Sequence, residues 1–474
     1  MVVWTHPIPK VGEEAAKGTS TTPAPTGAPV KLTLAEAVAL GLRDNRAIRS
    51  AYLSRIAQKF DLVVAESRFQ PKLVLSAGIN RDRGGGDVVT TSTLAPTATW
   101  LTPTGAALRF SWARTETRDK TGRVRNETAN AAISQPLLRG AGIAVNMAPV
   151  RIARLQEQIN RLQLKSSVSD TVTAIIVAYR SLAQAQQQVR LAQASLERTQ
   201  DLLATNRALI DAGRMAAADI VQTESGVANQ QVAVLQAEQQ RNSAQLALLR
   251  LLAVDLRTDV VAADDMTAPR VDIDLDKVIA LGLDGRMDVL AQRKSVEQSR
   301  LGLLQARNNR LWDLSLTAGV SRRSLSTGQP AGGPDPGSAS TVGVQLNIPI
   351  GDYSLRQGEI QADIGLRQAE LQFDDLKQSA EAQIRDAVQS VDAAWRQLDA
   401  AKRARDLSAR ALDLQREKLK AGRASNFEVL SFQSDLRAAD TQALSATIAY
   451  LNALTTLDQQ LGTTLDTWRI DLND

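Results

Sequence analysis

Two hydrophobic periods alternate along this chain, one of seven residues and one of two. Val168, Ile175, Leu182, Val189, Leu196, Leu203 and Ile210 stand seven apart. A shift of 209 gives Lys377, Ile384, Val391, Leu398, Arg405, Leu412 and Leu419, of which five are apolar. A sustained heptad predicts coiled-coil helices with a left-handed supercoil. The intermediate positions Gln186, Gln193, Gln200 and Arg207 are polar, so the stripe is narrow. A stripe of that width suits helices in a single-layer wall rather than the inside of a globule. At about 1.5 Å per residue, a helix from Val150 to Ile210 would run about 90 Å.

The period of two marks the segments between the helices. Leu73, Leu75, Ala77 and Ile79 oppose Val74, Ser76, Gly78 and Asn80. Leu314, Leu316, Ala318 and Val320 oppose Ser315, Thr317, Gly319 and Ser321, and the alternation returns from Thr341 to Ile350. Strands of about ten residues, apolar on one face and small-polar on the other, fit the wall of a water-filled membrane barrel. A soluble antiparallel sheet with one buried face is the alternative. Few large apolar residues elsewhere are free to cover such a sheet. Gly84–Gly86 and Gly328–Gly337 read as hairpin loops, because neither is followed by the Lys-Ser/Thr or helix start of a phosphate loop.

These modules occur twice, in the same order. Ala39-Leu-Gly-Leu42 recurs as Ala280-Leu-Gly-Leu283, and Pro71–Ile79 falls on Trp312–Val320, both at an offset of 241. Ala212-Gly-Arg214 falls on Ala421-Gly-Arg423 at an offset of 209. The division expected is a flexible lead-in over 1–30, a first repeat over 31–253, a linker over 254–273, a second repeat over 274–462 and a tail over 463–474. The first repeat reads as a helix at 33–68, strands at 71–138 and a helical hairpin at 150–252. The second reads as a helix at 274–310, strands at 312–350 and a hairpin at 355–461. The offset falls from 241 at the first strand to 213 at Pro136 and Pro349, so the first half carries a net 28 extra residues. About one further hairpin accounts for them, from Leu94 to Thr115, turning at Thr102-Pro-Thr-Gly105.

Composition narrows the function by exclusion. There is no cysteine, hence no disulfide, thiolate metal site or cysteine nucleophile. The one histidine, His6, lies in a Pro-flanked terminal stretch. No nucleophile elbow, Walker loop or metal-ligand cluster is present, so no cofactor, metal or catalytic residue is implied. The net charge of +5 is spread among interleaved acids and bases, which reads as solvated helix surface rather than a nucleic-acid footprint. No apolar run approaches the roughly 18 residues of a spanning helix. Met1–Lys10 lacks the apolar core of a secretory signal. Read literally that is a cytoplasmic protein; a processed or re-engineered N-terminus is the equal alternative.

The duplicated Leu-x-x-Ala-Val/Ile-x-Leu-Gly-Leu opening, the strand after Pro71, the junctions Gln135-Pro-Leu-Leu138 and Ile348-Pro-Ile-Gly351, and the two Gly-Arg tips together resemble the TolC-like outer membrane efflux proteins, over about residues 31–465. That resemblance implies a mainly α protein with a β-barrel portion: helical hairpins forming a periplasmic tunnel, and strands contributed to a barrel shared by a homotrimer. It implies a passive, non-enzymatic exit duct in the bacterial outer membrane, extending into the periplasm. Its expected partners are itself, outer membrane lipid, a periplasmic adaptor (membrane fusion) protein and an inner-membrane transporter, in a tripartite efflux pump or a type I secretion system. It also implies four strands per subunit, which would make the extra hairpin an extracellular flap. The other possibility is that the hairpin adds two strands to the barrel.

Site residues follow from the same resemblance. Gly213, Arg214, Gly422 and Arg423 would form the tips on which adaptor hairpins dock, and Pro136 and Pro349 the strand-to-helix junctions. Asp219 and Glu428, each six residues after its tip glycine, would form the lumen gate. Two positions depart from the family pattern: Ser431 replaces a second acid, and Ala424 replaces a base. A coiled-coil scaffold and a periplasmic adaptor are the rival readings; neither accounts for two strand regions followed by two hairpins.

Overall fold

The repeated Ala-Leu-Gly-Leu motif marks a close contact that the fold makes twice. The computed structural model describes residues 29–85, 87–213, 216, 219–327 and 337–472. Helix α1 (Leu34–Asp44) begins with a capping box: Thr33 Oγ1 accepts from the Glu36 amide, and Glu36 Oε2 accepts from the Thr33 amide. Asp274 caps α5 (Leu275–Gly285) at the equivalent place. A Cβ on Gly41 would stand 2.1 Å from Ile175 Cδ1 and 3.7 Å from Leu252. A Cβ on Gly282 would stand 2.4 Å from Ile384 Cδ1 and 3.3 Å from Leu461. Both partner pairs are 209 residues apart. Each glycine is therefore the hole that receives an isoleucine knob from a long helix.

Those long helices are α3 (Ile143–Asp211) and α7 (Ser354–Lys420). They turn back as α4 (Asp219–Leu252) and α8 (Asn426–Leu461). In α7 the heptad resumes at the tip after one break: Ile384, Val391, Leu398, Leu412 and Leu419 are buried, and Arg405 between them is exposed. In α3 it does not. Val168, Ile175, Leu182 and Val189 are buried, but the seam then steps through Ala192 to Ser195, Thr199, Leu202 and Asn206. Leu196, Leu203 and Ile210, the expected continuation, are only half-buried. A three-residue step of this kind overwinds the coil locally and brings a new face inward.

The strands form one six-stranded antiparallel sheet in the order β2 (Lys72–Gly84), β3 (Asp87–Leu101), β4 (Ala107–Arg118), β5 (Arg123–Pro136), β7 (Asp313–Thr327), β8 (Ser338–Asn347). The expected four-strand subunit is thus corrected to six. The extra segment supplies most of β3 and the first part of β4, held by a continuous ladder to β2 and β5. Its turn lies at the helix-proximal end, where the Gly142 amide donates to Thr104 O at 3.1 Å. The register puts Leu73, Ala98, Phe110, Ala131 and Val320 in one row and Leu75, Trp112 and Ala129 on the same face. Lys72, Thr99, Arg109, Ala132 and Gly319 line the other. Leu73, Ile79 and Val342 are 73–80% exposed, so the chain does not bury its own apolar face as a soluble sheet would.

The chain forms two compact units, and each draws on both sequence repeats. One comprises residues up to Arg46, Thr171–Val271 and Ser390–Thr456; the other comprises Ala47–Asp170, Asp272–Gln389 and the chain from Leu457. In the first, β1 (Val30–Leu32) pairs in parallel with β6 (Val260–Ala262), so the linker carries a strand. Tyr179 donates to Leu32 O and Asp264, and Tyr450 donates to Pro269 O, fastening the linker to α3 and α8. Burial and the neighbouring Asp264 push the Tyr179 hydroxyl up to about 12. In the second unit, α2 (Arg46–Glu66), α3, α6 (Met287–Asn309) and α7 lie in sequence. They are joined by Arg55–Glu157, by Gln298 donating to Ile152 O, and by Arg300–Glu370.

Candidate functional site

The second tip is built by one glycine. Gly422 has φ +70°, and its amide donates to Leu419 O at 2.9 Å while the Arg423 amide donates to Lys418 O at 2.8 Å. This is a Schellman closure, which needs the left-handed residue glycine supplies. Gly213 repeats it with φ +69° and a 2.8 Å bond to Ile210 O. Both glycines are exposed, and an added Cβ at either would meet nothing within 4 Å. Arg423 is exposed. Arg214 lies outside the described residues, and Asp219 opens α4.

Glu428 has a structural partner at the start of α8. Its Oε2 accepts from the Ser425 amide at 2.9 Å, and its own amide donates to Ser425 Oγ at 3.2 Å. This is a capping box, written in the sequence as Ser425-Asn-Phe-Glu428 but unread there. The same Oε2 accepts from Gln415 Nε2 at 2.9 Å. The carboxylate is exposed. In the first repeat, Ala216 and Asp219 occupy the equivalent positions, so a hydroxyl cap is missing.

Just behind the tips is a polar cluster that the heptad reading missed. Asn206 Nδ2 donates to Thr223 Oγ1 at 2.8 Å and to Asn426 Oδ1 at 2.9 Å, and Asn426 Nδ2 donates to Thr223 Oγ1 at 2.8 Å. Asn206 and Thr223 are fully buried, and Asn426 nearly so. Thr199 Oγ1 meets Gln433 Oε1 at 3.3 Å further along the seam. Apolar packing by Leu202, Leu412, Leu419, Val429 and Leu436 surrounds this end. Buried amides at coiled-coil seam positions fix register at some cost in stability. The signal was Asn206 itself, 209 residues before Gln415, with no polar residue suspected at a buried seam position.

At the sheet end, the junction carrying Pro136 is densely bonded. Gly105 has φ +96°, and a Cβ there would stand 2.2 Å from Gly140 O. Asn146 Nδ2 donates to Gly140 O and Gly142 O, and Asn308 Oδ1 accepts from the Gly140 amide at 2.7 Å. Arg139 pairs with Asp313 at 2.8 Å. Pro349, by contrast, is exposed beyond the edge strand β8. Trp100 donates to Phe69 O at 2.9 Å, and Trp312 stands exposed before β7. Tryptophans at the end of an apolar band are the mark of a lipid interface. At the opposite end, Arg114, Arg123 and Arg125 surround Glu116. Among the described residues, no cluster of His, Asp or Glu is arranged to hold a metal, and no helix is long and apolar enough to cross a membrane.

Comparison with known proteins agrees with this geometry. The model of the outer membrane efflux protein family matches residues 39–254 and 278–463, one match for each repeat. No curated protein matches the sequence. Among solved structures, the Vibrio cholerae outer membrane protein VceC is 16% identical, with TM-score 0.70 over 90% of this chain and 96% of that one. The Campylobacter jejuni CmeC outer membrane channel is 14% identical, with TM-score 0.69 over 90% of this chain and 85% of that one. A Pseudomonas aeruginosa membrane protein is 20% identical, with TM-score 0.69 over 90% of this chain and 92% of that one. At these identities the likeness is one of fold, a mainly helical TolC-like architecture with a transmembrane strand portion. The two family matches cover most of the sequence, and the chain belongs to the outer membrane efflux proteins, which are channels and not enzymes.

Proposed function

We propose that three copies of this chain form the passive exit duct of a tripartite efflux pump or type I secretion system. The duct would open through the outer membrane and extend into the periplasm. The observation carrying this reading is the two-faced sheet. It exposes an apolar face, and both its edges, β2 and β8, carry unpaired backbone groups. Such edges cannot remain open in lipid, so they must pair with other copies. Exposed apolar stripes on the helices support the same assembly: Leu53, Ile56, Phe60 and Val63 on α2, and Val221, Val232, Leu235 and Leu246 on α4. Channels of the family are trimeric and work with an adaptor and an inner-membrane transporter.

In this reading the tips Gly213–Arg214 and Gly422–Arg423 receive the adaptor, with the arginines donating to its carbonyls or carboxylates. Three copies of Glu428 make an anionic entrance that favours cations, with Asp219 as the first repeat's acid of the same gate. The pair Arg214→Glu and Arg423→Glu should abolish export while leaving the trimer in the membrane; surviving export would reduce the tips to turns. Glu428→Gln keeps the capping box, because glutamine serves at that position too. It should therefore lower the cation selectivity of the reconstituted channel without loss of fold, and unchanged selectivity would remove Glu428 from the gate.

A further inference from the structure

We propose that the barrel closed by three chains has 18 strands rather than 12, and that its exit admits cargo of correspondingly larger cross-section. This rests on the trimeric duct proposed above. The ladder supports this count. All six strands are bonded in one sheet with alternating direction, and β2 and β8 run oppositely. The β8 edge of one copy can therefore continue the antiparallel order on the β2 edge of the next. The face is continuous as well: Phe110 and Trp112 of the extra hairpin lie in the apolar rows of β2, β5 and β7.

The register records a tilt. Away from the helices, the apolar band ends at Ile79, Leu94, Trp112, Ala129, Val320 and Val342 on successive strands. The partner of Ile79 is Ser92, that of Leu94 is Arg114, that of Ala129 is Arg322 and that of Val320 is Ser340. The band thus steps two residues towards the helices at each of these crossings. Only between Trp112 and Ala129, which are direct partners, is it level. Eight residues over five crossings, at about 3.3 Å per residue and about 4.8 Å between strands, set the band about 45° to the strands. Closed membrane barrels have strand tilts of about 35–45°. The extra hairpin carries its share of the slope. An extracellular flap would have no need of one.

Four helices side by side, α2, α3, α6 and α7, span about 36 Å at about 9 Å spacing. Six strands tilted by about 45° span about 41 Å, whereas four would span about 27 Å. The sheet and the helical layer in this unit thus match when the hairpin belongs to the wall. Eighteen such strands close at a backbone radius of about 19 Å, against about 13 Å for 12. Apart from Arg109 near the helix-proximal end, the inner rows of the hairpin are small at Thr93, Ala95, Thr97, Ser111, Ala113 and Thr115, so they leave most of that bore open.

Electron cryomicroscopy of the full chain in lipid nanodiscs should show threefold particles with 18 strands. Threefold particles with 12 strands would overturn this inference and leave the duct standing; particles without threefold symmetry would overturn both. Single-cysteine probes give an independent readout in vesicles. A bimane on Phe110→Cys should be quenched by brominated lipid, and one on Ser111→Cys by aqueous iodide. Quenching of both by iodide alone places the hairpin outside the wall and sinks the inference. Deleting residues 87–118 preserves strand alternation by setting β2 beside β5. In the full chain, the polyethylene glycol excluded from the extracellular mouth should have about 1.5 times the radius of that excluded in the deletion, and equal cut-offs would count against 18 strands.

Discussion

The two helical hairpins descend from one repeat, yet they settle the same packing problem differently. Around α7 the seam stays largely apolar to the tip, with Gln415 the buried amide among its leucines, and α8 is buried along Val429, Leu436, Ala443, Tyr450 and Leu457. Around α3 the seam slips by three residues and turns polar at Ser195, Thr199 and Asn206. Its partner α4 stays largely uncovered, with Val221, Val232, Leu235 and Leu246 exposed. Duplication preserved the glycine sockets, where a Cβ would meet an isoleucine methyl, and the tip glycines, whose positive φ favours glycine. It let the seams diverge, because a coiled coil tolerates many side chains at its seam, buried amides included.

The largest effect is expected where the halves agree. Gly41→Val and Gly282→Val should each abolish assembly of membrane-inserted protein, since neither socket has room for a branched side chain beside its isoleucine. Heat-modifiable oligomer on gels would report it, and tolerance at one site alone would break the equivalence. Next comes the pair on which they differ. Asn206→Leu should cost about 2–3 kcal/mol in unfolding, because Asn426 and Thr223 lose a buried partner. Gln415→Leu, at the equivalent position, should cost less than about 1 kcal/mol, since it releases only an exposed carboxylate. Equal losses would show that the polar seam is not special.

A smaller gain should come from repairing the first tip. Ala216→Ser supplies the missing cap of α4 and should stabilise it by about 0.5–1 kcal/mol, measured as slower tryptic cleavage at the tip. The smallest effect concerns Asp440 on α8. Burial raises its carboxyl above the usual range, against the lowering influence of Arg198 and Arg405. An acid with a raised folded value is disfavoured once ionised, so its penalty is absent at low pH and grows as pH rises through the carboxylate range. Asp440→Asn should therefore raise the unfolding midpoint slightly at neutral pH and not at acidic pH, and a shift independent of pH would assign the effect to packing.

The sequence by itself determined a great deal. The duplication, the two periods, the tip glycines and the outer-membrane family were legible because each depends on local rules: three or seven residues for a helix face, two for a strand face, glycine for a left-handed turn. The extra hairpin was legible as 28 unmatched residues. Tertiary structure alone decided what those residues do, because a ladder is a long-range pairing. Neither β3 nor β4 states whether it also pairs outside the hairpin, β3 with β2 and β4 with β5, or only with its hairpin mate. The slipped seam of α3 was hidden for the same reason. Leu196, Leu203 and Ile210 continue the pattern, and only the facing amides of Asn426 and Gln433 turn the helix to bury Thr199 and Asn206 instead. Glu428 joined a capping box that the sequence spelled out, but its bond to Gln415 depends on how the two helices meet across the tip.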